Sequence, residues 1–401
     1  MAIRLYEGRM EFDYDSSDGS VKTTHTVYIE SDGLYFDGTI YGSGSPGVII
    51  SSPVSSNSSG LSTGDFEFQV DQIAFGTNTL FAKSDGSGVV FSGTIGATLD
   101  SVEGTQLGTV AGFTSGGRGA PSAKVTTIDK FPFSISSGTS TDVGDLLNQT
   151  SAHAGQSSST DGFYSGTVPA GTTIGKFPFA ISSGTGTEVG NVNTAKSFMA
   201  GHSSNDNGFA SGGQTAPGSS SNTTDIEKFP FAISSGTATD VGDLSALTTR
   251  HSGQSSSTNG FKAGGGPPNI STIDKFPFSI SGGTATNVGD LPAVRNNVAG
   301  VSSHNNGYAI GGQPTIDDIM MFPFAISSGT ATDVGSLTLA CSMTAGVSGM
   351  DNGFKVGGIN PATTPTRNNV IDKFPYSITS GTATDAGDLT EERNQLAGHQ
   401  D

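Results

Sequence analysis

The residues here whose types could support chemistry are Cys341, a handful of histidines and a set of acids, and nearly all of them recur at a fixed pitch. His153 and His251 sit just before a recurring Ala-Gly or Ser-Gly pair, and the position after that pair reads Gln156, His202, Gln254, Val301, Val347 and His399. Asp142, Glu188, Asp240, Asp333 and Asp385 share another column, with Asn287 in the remaining place. Paired carboxylates from that column could serve acid–base catalysis, and imidazoles could hold a metal. A copper radical centre would need paired Tyr, two His and a cross-linked Cys on separate loops. Repetition argues against all three, because an active site occurs once and these columns are periodic. The acids read as turn-forming or solvated carboxylates, and as calcium ligands they carry no EF-hand signature. Cys341 stands at the expected start of a strand, in a column otherwise holding Thr150, Lys196, Thr248, Arg295 and Arg393, with no His or Tyr column facing it. It reads as a buried structural thiol. The expectation is no catalytic residue, no cofactor and no metal.

The pitch itself comes from Phe131-Pro132-Phe133, Phe177-Pro178-Phe179, Phe229-Pro230-Phe231, Phe276-Pro277-Phe278, Phe322-Pro323-Phe324 and Phe374-Pro375-Tyr376. Successive copies lie 46, 52, 47, 46 and 52 residues apart, which suits one four-stranded blade of a β-propeller. Within each unit, strand a carries Ala-Gly-x-Ser, strand b Gly-Phe-x-x-Gly, strand c Ile-x-Lys-Phe and strand d Ala-Thr-x-Val. The Asn-Gly or Asp-Gly before strand b reads as a tight hairpin turn with φ > 0, and the Ser-Ser-Gly between c and d as another. Proline cannot donate to a ladder, so Pro132 and its equivalents belong at the end of strand c, with the flanking aromatics packing between blades.

All length variation falls between strands b and c, where the gap to the Phe-Pro phrase is 14, 10, 16, 11, 10 and 16 residues. Such a loop is exposed and is where repeat arrays place a binding face. Arg118 and Lys124 of blade one, Gln214 of blade three and Arg367 of blade six are the candidate ligand-binding residues there, with a passive polymorphic loop as the alternative. Strands a converge on the axis, so Gln156, His202, Gln254 and His399 read as packing or as the lining of a narrow tunnel, with metal or ligand binding as the alternative. The chain ends in Leu396-Ala397-Gly398-His399, a strand a with nothing after it, while blade one begins at strand b. The expected fold is all-β: an N-terminal β domain over 1–104, then a six-bladed propeller over 105–401 closed by the C-terminal strand, which removes the exposed edges.

Alternating runs (Met10, Phe12, Tyr14; Phe66, Phe68, Val70) and the turns Asp32-Gly33 and Asp85-Gly86 mark residues 1–104 as all-β, with Ser51 to Gly64 as an exposed loop inside them. Such a module ahead of a display domain suits an anchor. The formal net charge of −18 disfavours nucleic acid and anionic lipid as partners. A lone cysteine excludes an intramolecular disulfide framework. No apolar run is long enough to span a bilayer, and Met1-Ala2-Ile3-Arg4 opens into a strand rather than a signal peptide, so synthesis and folding in a cytoplasm are expected.

The glycine pairs Gly116-Gly117, Gly212-Gly213, Gly264-Gly265, Gly311-Gly312 and Gly357-Gly358 resemble those of kelch repeats. Blade two departs with Gly166-Thr167, and the kelch Trp is missing because the chain has none. More closely, Ile-Asp-Lys-Phe-Pro-Phe with Thr-Asp-Val-Gly-Asp-Leu resembles kelch-like repeats of virion proteins of marine bacteriophages, over residues 105–401. That resemblance implies a non-enzymatic virion structural protein (tail fibre, baseplate or tail-associated) that displays its propeller for host-surface or protein contacts. Partners would be other virion proteins through residues 1–104, including copies of itself, and a host surface glycan or protein, with several copies per particle. A capsid decoration or head-fibre protein is the first alternative. The second is a secreted propeller lectin or an oxidase similar to galactose oxidase.

Overall fold

The computed structural model describes residues 107–401 and, ahead of them, only the backbone of strand segments between residues 2 and 80. The chain divides into two compact units, Met1–Val102 and Glu103–Asp401. In the first, Ala2–Tyr6, Arg9–Asp15, Lys22–Glu30 and Gly33–Asp37 form an antiparallel meander, and Ile49–Ile50 with Phe66–Glu67 and Ile73–Phe75 with Asn78–Leu80 form two further pairs. The loop expected at Ser51 to Gly64 and the turn at Asp85-Gly86 lie outside the described residues.

The second unit is a six-bladed β-propeller. Blade two shows the plan: strand a Ala154–Ser157, strand b Asp161–Ser165, strand c Gly171–Pro178 and strand d Thr187–Lys196, all antiparallel and in spatial order. Each proline of the aromatic phrase ends its strand c, as in Val125–Pro132. Blade one takes its strand a from the far end of the chain, where Ala397–Gln400 pairs antiparallel with Ala111–Ser115. His399 lies opposite Phe113 and Gln400 opposite Gly112. Asp401 latches the closure, its carboxylate accepting from the N–H groups of Val110 at 3.1 Å and Ala111 at 2.7 Å.

The Asn-Gly signal turns out to have a different cause from the one expected. The glycines Gly162, Gly208, Gly260, Gly307 and Gly353 lie inside strand b and are not among the positive-φ residues. Each is required because the first Phe of the aromatic phrase lies flat over it, where a Cβ would overlap the ring. The turn glycines are elsewhere: Gly138, Gly184, Gly236, Gly283, Gly329 and Gly381, at φ between 90° and 112°, make the c–d turns. The glycine pair after strand b swings the chain so that its second residue caps strand d, as Gly213 N–H does to Thr248 O at 2.9 Å. Thr167 makes the same bond to Lys196 O at 3.2 Å, so blade two tolerates its departure.

The seams between blades are aromatic. The last ring of each phrase packs against the strand b aromatic of the preceding blade: Phe179 on Phe113, Phe231 on Phe163, Phe278 on Phe209, Phe324 on Phe261, Tyr376 on Tyr308 and, across the closure, Phe133 on Phe354, at centroid distances of 4.9–5.4 Å. Such pairs contribute roughly 0.5–1.5 kcal/mol each beyond the area they bury. In five blades the strand c lysine lies over the same ring, for example Lys130 over Phe113 at 5.0 Å.

Each seam also holds one large polar or aromatic side chain, and its origin alternates around the ring. Arg393, Lys196 and Arg295 close strand d or follow it, and reach into the next blade to meet Asp129 (2.5 Å), Glu227 (2.5 Å) and Asp318 (2.6 Å). Opposite them, strand b carries a small residue: Thr114, Ala210 or Ala309. At the three intervening seams strand d ends in Thr150, Thr248 or Cys341, and the space is filled from the next blade's strand b by Tyr164, Lys262 or Lys355. Lys262 and Lys355 then pair within their own blade, with Asp274 at 3.7 Å and Asp372 at 3.5 Å. Cys341 therefore sits at the end of strand d rather than the start of strand a, as the small partner of Lys355.

Candidate functional site

Three concentric features organise the axis. Gly155, Gly201, Gly253, Gly300, Gly346 and Gly398 face it, one per blade, each so close to the next that a Cβ would overlap the neighbouring glycine's carbonyl. Below them the backbone N–H groups of Ser157, Ser203, Ser255 and Ser302 each donate to the following blade's serine hydroxyl at 2.9–3.0 Å. Ser348 N–H to Gln400 Oε1 and Gln400 N–H to Ser157 Oγ, at 3.4 and 3.1 Å, close that circle. The enclosed space is small, about 60 Å³, and polar.

Above them, on the face of the b–c and d–a loops, lies a second closed circle made only of backbone. The N–H of Ala152 donates to Gln395 O, Phe198 to Ala152 O, Arg250 to Phe198 O, Asn297 to Arg250 O, Met343 to Asn297 O and Gln395 to Met343 O, at 2.7–3.2 Å. All six residues have φ between 52° and 57°, the left-handed region that costs a non-glycine residue about 1 kcal/mol or more. The circle explains that strain, because this conformation turns each N–H onto its neighbour. Since the backbone alone makes the ring, the six side chains are free to differ, and they do. They surround a mouth of about 100 Å³ on the axis.

Gln156, His202, Gln254 and His399 divide between the two expectations of axial lining and packing. Gln156 and His202 border the axial space, but all four are fully buried, their side chains turned away from the axis into the blades. His202 Nε2 meets Ser211 Oγ at 2.8 Å and His399 Nε2 meets Ser115 Oγ at 2.8 Å, while Gln156 donates to Ser165 Oγ at 3.0 Å. Where strand b ends in Ile310 or Val356 instead of serine, the column holds Val301 or Val347. The column is core, matched to its own blade.

Of the loop residues, Arg118 and Arg367 meet at Ser122, while Lys124 turns to blade two. Arg367 reaches from blade six to Ser122 Oγ (2.8 Å) of blade one and to Asn394 Oδ1 (3.1 Å), Arg118 donates to Gln395 Oε1 (3.0 Å), and Lys124 to Val168 O (2.9 Å) of blade two. Gln214 is elsewhere, its backbone bridging Ser197 and Asn222, and it is buried. Arg250, the charged residue of the mouth, was missed by sequence reasoning. Its signal was an ungapped column of unlike residues three places before the strand a glycine: Ala, Phe, Arg, Asn, Met, Gln.

No carboxylate among the described residues lines the mouth. Among the described residues no group of three or more His, Cys, Asp or Glu could hold a metal ion. Burial pushes the Cys341 thiol up to about 11, so it is not a thiolate at neutral pH. The strand d acids Asp142, Asp240, Asp333 and Asp385 cap their own bulges, each accepting from the N–H two residues on at 3.1 Å.

Burial also drives the imidazoles down: His153 to about 3 and His202 and His399 to about 4, from an ordinary 6.5. The unfolded chain takes up these protons near pH 6.5, whereas the folded chain does so only near pH 4. Stability is therefore complete above pH 6.5 and falls as pH drops towards 4, by about 1.4 kcal/mol per pH unit per histidine. Glutamine is tolerated in this column, so a His202→Gln, His399→Gln double variant is expected to lose less stability between pH 7 and pH 4.5. Urea midpoints at the two pH values check this, and an undiminished difference would refute it.

No family model matches the chain, and no curated protein matches it.

Proposed function

We infer that this chain is a non-enzymatic structural protein of a bacteriophage virion, whose propeller is displayed for contact with the host surface or with neighbouring fibre or baseplate proteins. The resemblance of the Ile-Asp-Lys-Phe-Pro-Phe phrase to kelch-like virion repeats supports the source. The observation that carries the display role is where variation falls. On a scaffold whose strands and turns repeat, the b–c loop lengths and the side chains of the left-handed ring differ from blade to blade, and both lie on one face. Periodic acids engaged in capping, an unactivated buried thiol and core histidines support a role without catalysis. Residues 1–104 would dock on other virion proteins, including copies of this chain. Modest polar contacts on the variable face would gain strength from many copies on one particle.

Locating the chain in a density map of an intact particle tests this. The expected result is a surface position with the b–c loops directed outward. A chain found inside the particle or absent from it would overturn the proposal.

A further inference from the structure

The axial mouth contains an uncompensated cation. Arg250 stacks over Phe198 with its guanidinium carbon 4.6 Å from the ring centroid. Its side chain has no carboxylate and no hydrogen-bond acceptor among the described residues, and its Nε is buried without a partner. His153 and His251, at the floor of the same mouth, each have a buried Nδ1 without a partner. Buried polar atoms are normally satisfied, and Arg250 is half-buried, with its Nε closed off from solvent. Among the described residues no acid lines the mouth, in a chain of net charge −18. Arg118 and Arg367 stand behind Gln395 and Asn394 on the same rim, bonded among the described residues to neutral groups.

We propose that this mouth is a binding site for the carboxylate of an acidic sugar residue, with Arg250 as its anchor. The guanidinium presents donors matched to a carboxylate. A solvent-open mouth of about 100 Å³ admits a carboxylate and part of one ring. Phe198, which carries Arg250 on its ring, and Met343, whose Sδ accepts from the Gln395 amide at 3.5 Å, supply apolar surface for ring C–H groups. The net charge of −18 repels densely charged polyanions at long range, which favours a ligand carrying isolated carboxylates. The αL ring fixes the Arg250 backbone through bonds on both sides, so the anchor is placed before the ligand arrives. This deepens the display role proposed above, naming the ligand chemistry of the displayed face.

Calorimetric or NMR titration of the purified full chain with D-glucuronate, D-glucose and inorganic phosphate at constant ionic strength tests it. Saturable glucuronate binding is expected, with none by glucose. Arg250→Gln should weaken it at least about tenfold, the factor for one lost charge-assisted bond. Its melting temperature should be unchanged, since no described side chain pairs with Arg250 by charge. Absent glucuronate binding, or equal binding by Arg250→Gln, overturns the proposal. Phosphate displacing glucuronate with comparable affinity overturns the assignment to a carboxylated sugar. The titration needs no particle and no host, so a negative result here is separate from a failure of the virion assignment.

Discussion

Deleting residues 393–401 is expected to abolish the cooperative fold of the propeller. Blade one would keep three strands and expose the edge of Ala111–Ser115, a template for pairing with other chains. Both circles on the axis would open, since Gln395 and Gln400 each supply one link. The deletion also removes Arg393, which is fully buried and bonds Gly116 O, Thr127 O and Asp129 at 2.9, 3.0 and 2.5 Å. Asp129 would then be left as a buried carboxylate with only Thr390 for company. Breaking such a pair by removing one partner costs about 3–5 kcal/mol, a large part of a typical domain's stability. Arg393→Met isolates that share and is expected to lower the urea midpoint by an amount equivalent to about 3–5 kcal/mol. Light scattering and urea titration check both variants. A truncated protein that stays monomeric and unfolds at the parent midpoint would show that closure contributes nothing.

The second large effect is expected at the seam between blades two and three. Lys196 enters from blade two, Ala210 leaves room for it, and Glu227 and Asp225 receive it at 2.5 and 3.1 Å. The next seam solves the same problem the other way, with Thr248 small and Lys262 supplied from strand b. Lys196→Thr alone strands Glu227 and should cost about 3–5 kcal/mol. Ala210→Lys alone puts two lysines in one closed space and should also be strongly destabilising. Together they recreate the arrangement of the neighbouring seam, so the double variant should recover most of the loss, with a coupling of about 2–3 kcal/mol in a double-mutant cycle. Additive losses would mean that the alternation of cation sources is incidental. If the coupling is found, each blade presents a seam that fits its proper neighbour better than the next blade along. That disfavours misordered or swapped assembly of repeats otherwise much alike.

The two predictions also mark where the sequence was legible. Six evenly spaced aromatic phrases, the proline ending each, and a strand a left over at the C-terminus specify blade number, strand order and closure, because each is a spacing along the chain. The face that varies was legible for the same reason. The loop residues Arg118 and Arg367 converge because blades six and one are neighbours in the ring, whereas Lys124 reaches blade two and Gln214 is buried in its own loop.

What only the tertiary structure decided concerns relations across the ring. A period of two says that Gln156 and His202 alternate with glycines, but not which side of a converging strand faces the axis. There the strands a come so close that only the glycine side fits, and the polar side turns into the blade. The Asn-Gly dipeptide carries the local signature of a turn, yet the nearby Phe ring requires the glycine. The partners of Lys196, Arg295 and Arg393 lie on the following blade, a relation no local pattern carries. The left-handed ring is the clearest case. Ala152, Phe198, Arg250, Asn297, Met343 and Gln395 have nothing in common as side chains, so no propensity could mark them. Their shared conformation is imposed by six backbone groups that must satisfy one another around a closed circle, and that circle is what leaves the guanidinium of Arg250 alone at its mouth.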